Sequence, residues 1–447
     1  MKYPAFTQMV TVCVASTMLA GCSTNVGAVP PGNREDGSAA LRLRQPFVVL
    51  YNFRGGSDGA QPQGPLILGK DGALYGTTEF GGSSYSCGFY HNSGCGTVFK
   101  LSPSRSAYTE RVVHSFRGLR SDGAWPWAGL TFDSNGALYG TTTSDEGAKG
   151  CGTAFKLTPT ASGYSESAVY KFEWADCNRG ERPYAGLIFG KDGALYGTTF
   201  VGDRIGEGLA FRLTPSGFPY TETILQRFHG LNGLNPFAGL TFGTDGALYG
   251  TTSAGGSTQA CGFYYDGCGT VFKLTPSGRS RYRESVIHNF VESDGEGPFG
   301  GVIFDNKGAL YGTTGEGGSG TCSGSTGCGT VFKLTRSGSG YIETVLYSFA
   351  GSYSSDGQYP MDTLVLDNEG ALYGTTYWGG SPSCNCGTVF KLTPSGSGYK
   401  ESILHRFAGA DGAEPRAALI FDRRGALYGT ASAGGKYGEG TVFKVAR

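Results

Sequence analysis

Short apolar segments alternate with glycine-rich polar turns through most of this chain, and they do so in one repeating order. From Asn235 to Phe290 the order is "AGLTF", the tight turn Gly243-Thr244-Asp245-Gly246, "ALYGTT", a glycine-rich loop, "GTVFKLT", the turn "PSGRSRY" and "ESVIHNF". Each apolar stretch has the length of a β-strand, and no window sustains the 3.6-residue period of an amphipathic helix. The short turn between the first two segments is a hairpin signal. Four successive strands joined by short turns predict one antiparallel meander.

The meander recurs. "GALYGTT" begins at Gly72, Gly136, Gly193, Gly246, Gly308 and Gly370, and "GALYGTA" at Gly425, with spacings of 64, 57, 53, 62, 62 and 55 residues. These repeats exceed the roughly 40 to 50 residues of WD or kelch units, but they carry the same strands with longer loops. Sheets that pack only on their neighbours spare a chain of this size one oversized core. The pattern therefore predicts an all-β, seven-bladed propeller of four-stranded antiparallel blades. The last repeat stops at "GTVFKVAR", after its third strand, whereas "FVVLYNF" at Phe47 to Phe53 matches the fourth-strand phrases "RVVHSF", "TVLYSF" and "SILHRF". An N-terminal strand at 47–53 is thus expected to complete the last blade and to leave no open sheet edge.

The ordered phrase "GALYGTT … GCGTVFKLTPSG … Y.E … F … DG..P", kept in seven copies between about Phe47 and Arg447, resembles the GloVer-type tandem repeat of exported, choice-of-anchor proteins. That resemblance implies a surface-displayed, propeller-like module and implies no particular activity. At the other end, the apolar run Met9 to Ala20 is short for a membrane span and has the dimensions of an export signal. Leu19-Ala20-Gly21-Cys22 resembles the bacterial lipobox, which implies a lipidated Cys22 as the mature N-terminus. Ser23, where an Asp would favour inner-membrane retention, implies an outer-membrane or cell-surface destination. The domain plan is a lipoprotein signal at 1–21, a flexible tether at 22–45 and the propeller at 46–447.

Charge narrows the partners. With 36 Lys and Arg against 36 Asp and Glu, and no basic cluster, nothing draws the chain to nucleic acid. The expected partners are a glycan or a protein at the cell surface, the membrane being reached only through the lipid, and the propeller is expected to be a monomer. Of 12 Cys, Cys13 falls in the signal and Cys22 is the anchor, which leaves ten for disulfides in an oxidising compartment. The loops between second and third strands hold 17, 9, 8, 16, 14, 10 and 8 residues, and the three longest each contain a Cys pair. The expected bridges are Cys87–Cys95, Cys261–Cys268 and Cys322–Cys328, each worth about 2–3 kcal/mol by loop closure. Cys151–Cys177 is expected between two loops of one face, and Cys384–Cys386 is the least favourable, a Cys-x-Cys bridge being strained. No His or carboxylate accompanies these Cys at ligand spacing, so they are not read as metal sites.

Sequence variation concentrates on the face formed by those loops and the inter-blade loops, where recognition is usually carried by a rigid scaffold. All four Trp fall there: Trp125, Trp127, Trp174 and Trp378. They are candidate plates for sugars or a protein partner. Trp127 shares the column after each loop Pro with Tyr184, Phe237, Phe299 and Met361, which argues for packing; Trp174 and Trp378 do not repeat. An Asp-Gly-x-x-Pro phrase supplies Asp58, Asp122, Asp294, Asp356 and Asp411, with Arg179 and Asn232 at the other two positions. A ring of such carboxylates near the channel mouth would hold a polyol or a cation such as calcium; but an Asp before Gly caps a turn by itself and every blade needs that turn, so the turn role is the expected one. No catalytic set emerges, His114, His288 and His405 being one outer-strand column. The functional expectation is a surface-anchored, non-catalytic propeller binding a glycan or protein partner. The alternatives are a polysaccharide hydrolase or lyase using the loop Asp residues with Arg179, and a structural envelope protein.

Overall fold

The computed structural model describes residues 46–447 except 85–86, 88–93, 106, 119–121, 145–149, 173–178, 203–206, 258–260, 262–266, 279–280, 323–326, 352–354 and 397. Seven four-stranded antiparallel sheets follow one another along the chain. Blade 1 comprises Ile67–Leu68, Leu74–Thr78, Thr97–Pro103 and Tyr108–Ser115, and blades 2 to 6 repeat that order. In blade 7, Ile420–Phe421, Leu427–Ala431 and Thr441–Val445 are completed by Phe47–Asn52, which pairs antiparallel with Thr441–Val445. The ring is therefore clasped by its own N-terminal strand, as the incomplete last repeat requires.

Within each blade, the repeated phrase has a steric reason. The Gly of "LYGTT" pairs across the sheet with the Phe of the third strand, for example Gly250 with Phe272. A Cβ at Gly250 would lie 2.5 Å from that ring, and at the six equivalent glycines the figure is 2.5–2.7 Å. Glycine is needed so that the tips of seven fully buried Phe rings can close on the second strand. Burial of a ring of this kind is worth roughly 2–3 kcal/mol.

The preceding hairpin turn is solved in two ways. Asp133, Asp305, Asp367 and Asp422 stand at its first position, whereas Asp71, Asp192 and Asp245 stand at its third; in either case the carboxylate accepts the N–H of the Ala before "LYG" at 2.8–3.1 Å. Where Asp is third, the first residue is Gly, because a Cβ on Gly69, Gly190 or Gly243 would come within about 2.6 Å of the carboxylate oxygen. In five blades the same carboxylate also accepts the hydroxyl of the "LYG" tyrosine, as Asp245 does from Tyr249 at 2.9 Å. A third-strand Lys or Arg then caps that Tyr ring in all seven blades, 5.2–5.9 Å from its centroid.

The core lies between blades. Seven apolar clusters are each shared by two neighbours, and one of them joins Leu66, Leu74 and Phe99 of blade 1 to Tyr428 and Val442 of blade 7. The first Thr of every "GTT" or "GTA" donates its hydroxyl to a carbonyl of the next blade: Thr77 to Ala128, Thr141 to Ala185, Thr198 to Ala238, Thr251 to Gly300, Thr313 to Asp362, Thr375 to Ala417 and Thr430 to Gly64. In five blades the second Thr pairs instead with a Thr of the third strand, as Thr252 does with Thr270 at 2.8 Å. The innermost strands crowd together, a Cβ on Gly186 lying 3.1 Å from the Gly129 carbonyl oxygen. They line a narrow axis.

Candidate functional site

One feature of the loop face repeats in all seven blades while its side chains differ. Gln61, Trp125, Arg182, Asn235, Gly297, Tyr359 and Glu414 each immediately precede the loop Pro, and all are left-handed, with φ of 54–63°. For six non-glycine residues this conformation costs roughly 1–2 kcal/mol apiece, and the residue before Pro ordinarily prefers extended backbone. Main-chain bonds offset the cost. Each residue donates its N–H to the blade before it, through the carbonyls of Glu439, Cys95, Cys151, Glu207, Cys268, Cys328 and Cys386, at 2.9–3.0 Å. Each also accepts, at 2.9–3.3 Å, from the residue that follows the second strand of its own repeat. The backbone is thus held whatever the side chain is.

Two positions beyond this rim, past the Pro, the side chains converge over the axis. Trp127 meets Tyr184 edge to face at 5.3 Å and Phe237 at 6.4 Å, Tyr184 stacks on Phe237 at 5.0 Å, and Phe237 meets Phe299 at 5.8 Å. Phe200 fills the angle between Tyr184 and Phe237. Arg416 of blade 7 closes the circle, its guanidinium 4.2 Å from the Tyr377 ring centroid and 5.5 Å from that of Trp127. Trp378 rests between Tyr377 and Tyr359, at 4.9 and 5.1 Å. These rings are half-buried, and with Arg416 they form an aromatic cluster with one cationic side, the cup.

Polar groups complete the cup. Gln63 is only 5% exposed and donates to Glu79 Oε2 at 2.9 Å. Burial pushes the Glu79 carboxyl up to about 7, against the opposing effects of the Gln63 hydrogen bond and the Arg416 charge. Glu414 accepts from the Tyr377 hydroxyl at 2.8 Å and lies 3.8 Å from Arg416. Glu316 accepts from the Tyr359 hydroxyl. Beside Met361, Asp362 accepts the N–H groups of Thr363 and, from blade 7, Ala418, at 2.5 and 2.6 Å, and burial raises its carboxyl to about 7.

Sequence reasoning places Trp127, Tyr184, Phe237, Phe299 and Met361 in one column, and the structure brings its four aromatic members together. It missed Gln63 and Arg416, the two polar members of that column, as well as Glu79, Glu414 and Asp362. The signal was available in the Pro at a fixed place in every repeat. Trp125 sits on the left-handed rim and Trp378 against the cup, while Trp174 lies outside the described residues.

The repeated Asp residues are placed elsewhere. Each caps the turn after an outer strand and reaches that strand's His or Tyr: Asp58 to Tyr51, Asp122 to His114, Asp294 to His288, Asp356 to Tyr347 and Asp411 to His405, at 2.5–3.4 Å. They face their own blade junctions and do not meet at the mouth. Arg179 at the corresponding place pairs with the buried Glu222 at 2.7 Å, and Asn232 accepts the His229 N–H at 2.8 Å. Among the described residues, no three His, Cys, Asp or Glu side chains gather as a metal cage. Cys87–Cys95, Cys261–Cys268, Cys322–Cys328 and Cys384–Cys386 are disulfides. Cys151 is disulfide-bonded as well, and Cys177 lies outside the described residues, as do residues 1–45 with Cys22.

Comparison with solved structures reflects this architecture. A Bacteroides fragilis protein assigned provisionally as a 6-phosphogluconolactonase is 14% identical, with a TM-score of 0.51 over 81% of this chain and 88% of its own. A Xanthomonas campestris gluconolactonase is 14% identical, with a TM-score of 0.41 over 89% of this chain and 88% of its own. At such identity the likeness is one of fold alone. A search of the curated proteins finds no match. The model of the Gloeobacter/Verrucomicrobia repeat matches residues 39–265 and 262–447, so that the repeat accounts for nearly the whole chain, and the protein belongs to that family.

Proposed function

We propose that the protein is a non-catalytic glycan-binding propeller, tethered to the cell surface through Cys22, with its ligand site in the aromatic cup at the channel mouth. The carrying observation is the ring of Trp127, Tyr184, Phe237 and Phe299 beside Arg416, Gln63 and Glu79. Sugars are bound by flat apolar rings that cover their C–H faces and by polar side chains that meet their hydroxyls, and the cup offers both, two residues beyond a rim held by main-chain hydrogen bonds. A glycan-array screen of the full-length protein tests the reading. Binding should fall at least tenfold in Trp127→Ala and in Trp378→Ala, with the melting temperature little changed; binding indifferent to both changes removes the cup as the site.

A hydrolytic reading is favoured by one observation, the carboxyl of Glu79 poised at about 7 next to Arg416. Release of reducing ends from a bound glycan, abolished by Glu79→Gln, would replace the non-catalytic reading.

A further inference from the structure

A four-stranded meander puts its two tight turns at one end, so the turns of all seven blades form the face opposite the cup. Cations that are scattered along the sequence gather there. Lys70, Lys191, Lys307, Arg336, Arg423 and Arg424 occupy or flank these turns, and all six are exposed. The turn Asp residues do not cancel them, because each blade sets one third-strand Lys or Arg against its one turn Asp. Asp71 meets Lys100, Asp192 meets Arg212 and Asp245 meets Lys273 at 2.5–2.7 Å. Glu369, a further carboxylate of this face, meets Arg447 at 3.2 Å. The chain as a whole has no net charge, so the positive surplus is a matter of placement.

The same face carries an apolar tip. Phe218 stands in the turn between Leu209–Thr214 and Thr221–Arg227, in the blade that also contributes Lys191, and is 64% exposed. Aromatic rings settle at the headgroup level of a bilayer, and Lys and Arg are drawn to anionic headgroups. A polyanion such as duplex DNA would meet the cations but leave Phe218 in water. The described chain also enters the propeller on this face: Phe47 pairs with Val445, and the Pro46 carbonyl accepts the Ala446 N–H at 2.8 Å. Only 23 residues lie between Cys22 and Pro46, a reach of about 80 Å when fully extended. With a lipid on Cys22, the turn face stays within reach of a bilayer, and contact is left to the chemistry of the face itself.

From these observations we infer that the tight-turn face docks on an anionic lipid surface, Phe218 entering the headgroup layer amid the turn cations, so that the cup opens away from the bilayer. This docking goes beyond the glycan reading and stands or falls separately from it. It gives the chain a hold on the membrane besides its lipid.

Cosedimentation of the mature chain, 22–447, carrying Cys22→Ser so that no lipid is attached, tests the docking. Vesicles of phosphatidylcholine alone are set against vesicles containing about 30% phosphatidylglycerol. The anionic vesicles should bind at least about tenfold more tightly at low salt, and about 0.5 M salt should remove the advantage. Lys191→Glu should weaken that binding roughly fivefold or more, and Phe218→Ser about threefold or more, both with an unchanged melting temperature. Lys436→Glu reverses an exposed charge on the loop face and should change it less than about twofold. Equal binding to the two kinds of vesicle, or an equal loss in Lys191→Glu and Lys436→Glu, overturns the inference. Duplex DNA bound more tightly than the anionic vesicles, with Phe218→Ser without effect on either, overturns it in favour of a nucleic-acid surface.

Discussion

Thr430 Oγ1 donates to the carbonyl oxygen of Gly64 at 3.2 Å, across 366 residues of sequence, and so joins the last blade to the first. The other six junctions carry the same bond between sequential neighbours at 2.8–3.4 Å. Only here must the two ends of the chain meet for it to form, and Phe47–Asn52 completes the sheet to which Thr430 belongs. Deleting Phe47–Asn52 should therefore lower the melting temperature sharply and promote association through the bared Thr441–Val445 edge. Thr430→Val should cost only about 1 kcal/mol. Calorimetry with light scattering separates the two effects, and a deletion variant as stable as the parent would refute the clasp.

The fit of Gly250 under Phe272 is a second quantitative target. Gly250→Ala places a methyl 2.5 Å from the ring's Cζ atom and should cost about 1–3 kcal/mol through overpacking. Shortening the ring in Gly250→Ala/Phe272→Leu should return part of that loss. Denaturant unfolding of the two single variants and the double variant gives the coupling, and additive costs would mean that the two residues do not compete for space.

Four junctions place a Glu from one outer strand beside an Asp from the preceding inter-blade turn. Burial and the neighbouring Asp58 push Glu110 up to about 8, and burial with Asp122, Asp294 and Asp356 pushes Glu166, Glu343 and Glu401 up to about 7. Between about pH 4.5, the ordinary Glu value, and pH 8, the folded chain keeps protons that the unfolded chain has released. Stability should accordingly be highest on the acid side of that window and fall as pH rises through it. Melting temperatures measured from pH 5 to 8.5 should decline, and Glu110→Gln should flatten the upper part of the decline. A rise in melting temperature over the same range would contradict the assignment.

The disulfides act on the rim. Cys328 is bridged to Cys322, and its carbonyl holds the left-handed Tyr359 through a 3.0 Å hydrogen bond. Asn235 is held in the same way by Glu207, whose loop contains no Cys. Replacing Cys322 and Cys328 by Ser should cost about 2–3 kcal/mol. It should also quicken hydrogen exchange at the Tyr359 amide and leave that of Asn235 unchanged. Equal acceleration at both would show a global loss of stability instead.

The ring of blades was legible because it is written seven times: "GALYGTT" marks each second strand, and the truncated last repeat announces its own completion by Phe47–Asn52. The loop disulfides were legible from spacing. The cup was not, for two physical reasons. Left-handed backbone leaves no signature in residue type when Gln61, Trp125, Arg182 and Glu414 all adopt it; only the invariant Pro after each betrays the position. Reading the post-Pro column as apolar then passed over Gln63 and Arg416, whose chemistry matters because their neighbours are rings. The Asp-Gly phrase was legible as a turn cap, and Asp122 and Asp294 each serve a local turn. What its regularity did not show is the second partner, a His on the adjoining strand.

Because two main-chain bonds fix each rim residue in place, the left-handed position accepts side chains as different as those of Gln61, Trp125, Arg182 and Glu414. Seven side chains around the mouth can be exchanged one at a time, from Trp to Arg to Glu, with the scaffold indifferent to the choice. A lineage built on this frame can change the chemistry at its mouth by single substitutions, each starting from a folded parent. The repeated main-chain frame is then what permits diversity at the mouth, as its seven copies already show with seven rim residues of which no two are alike.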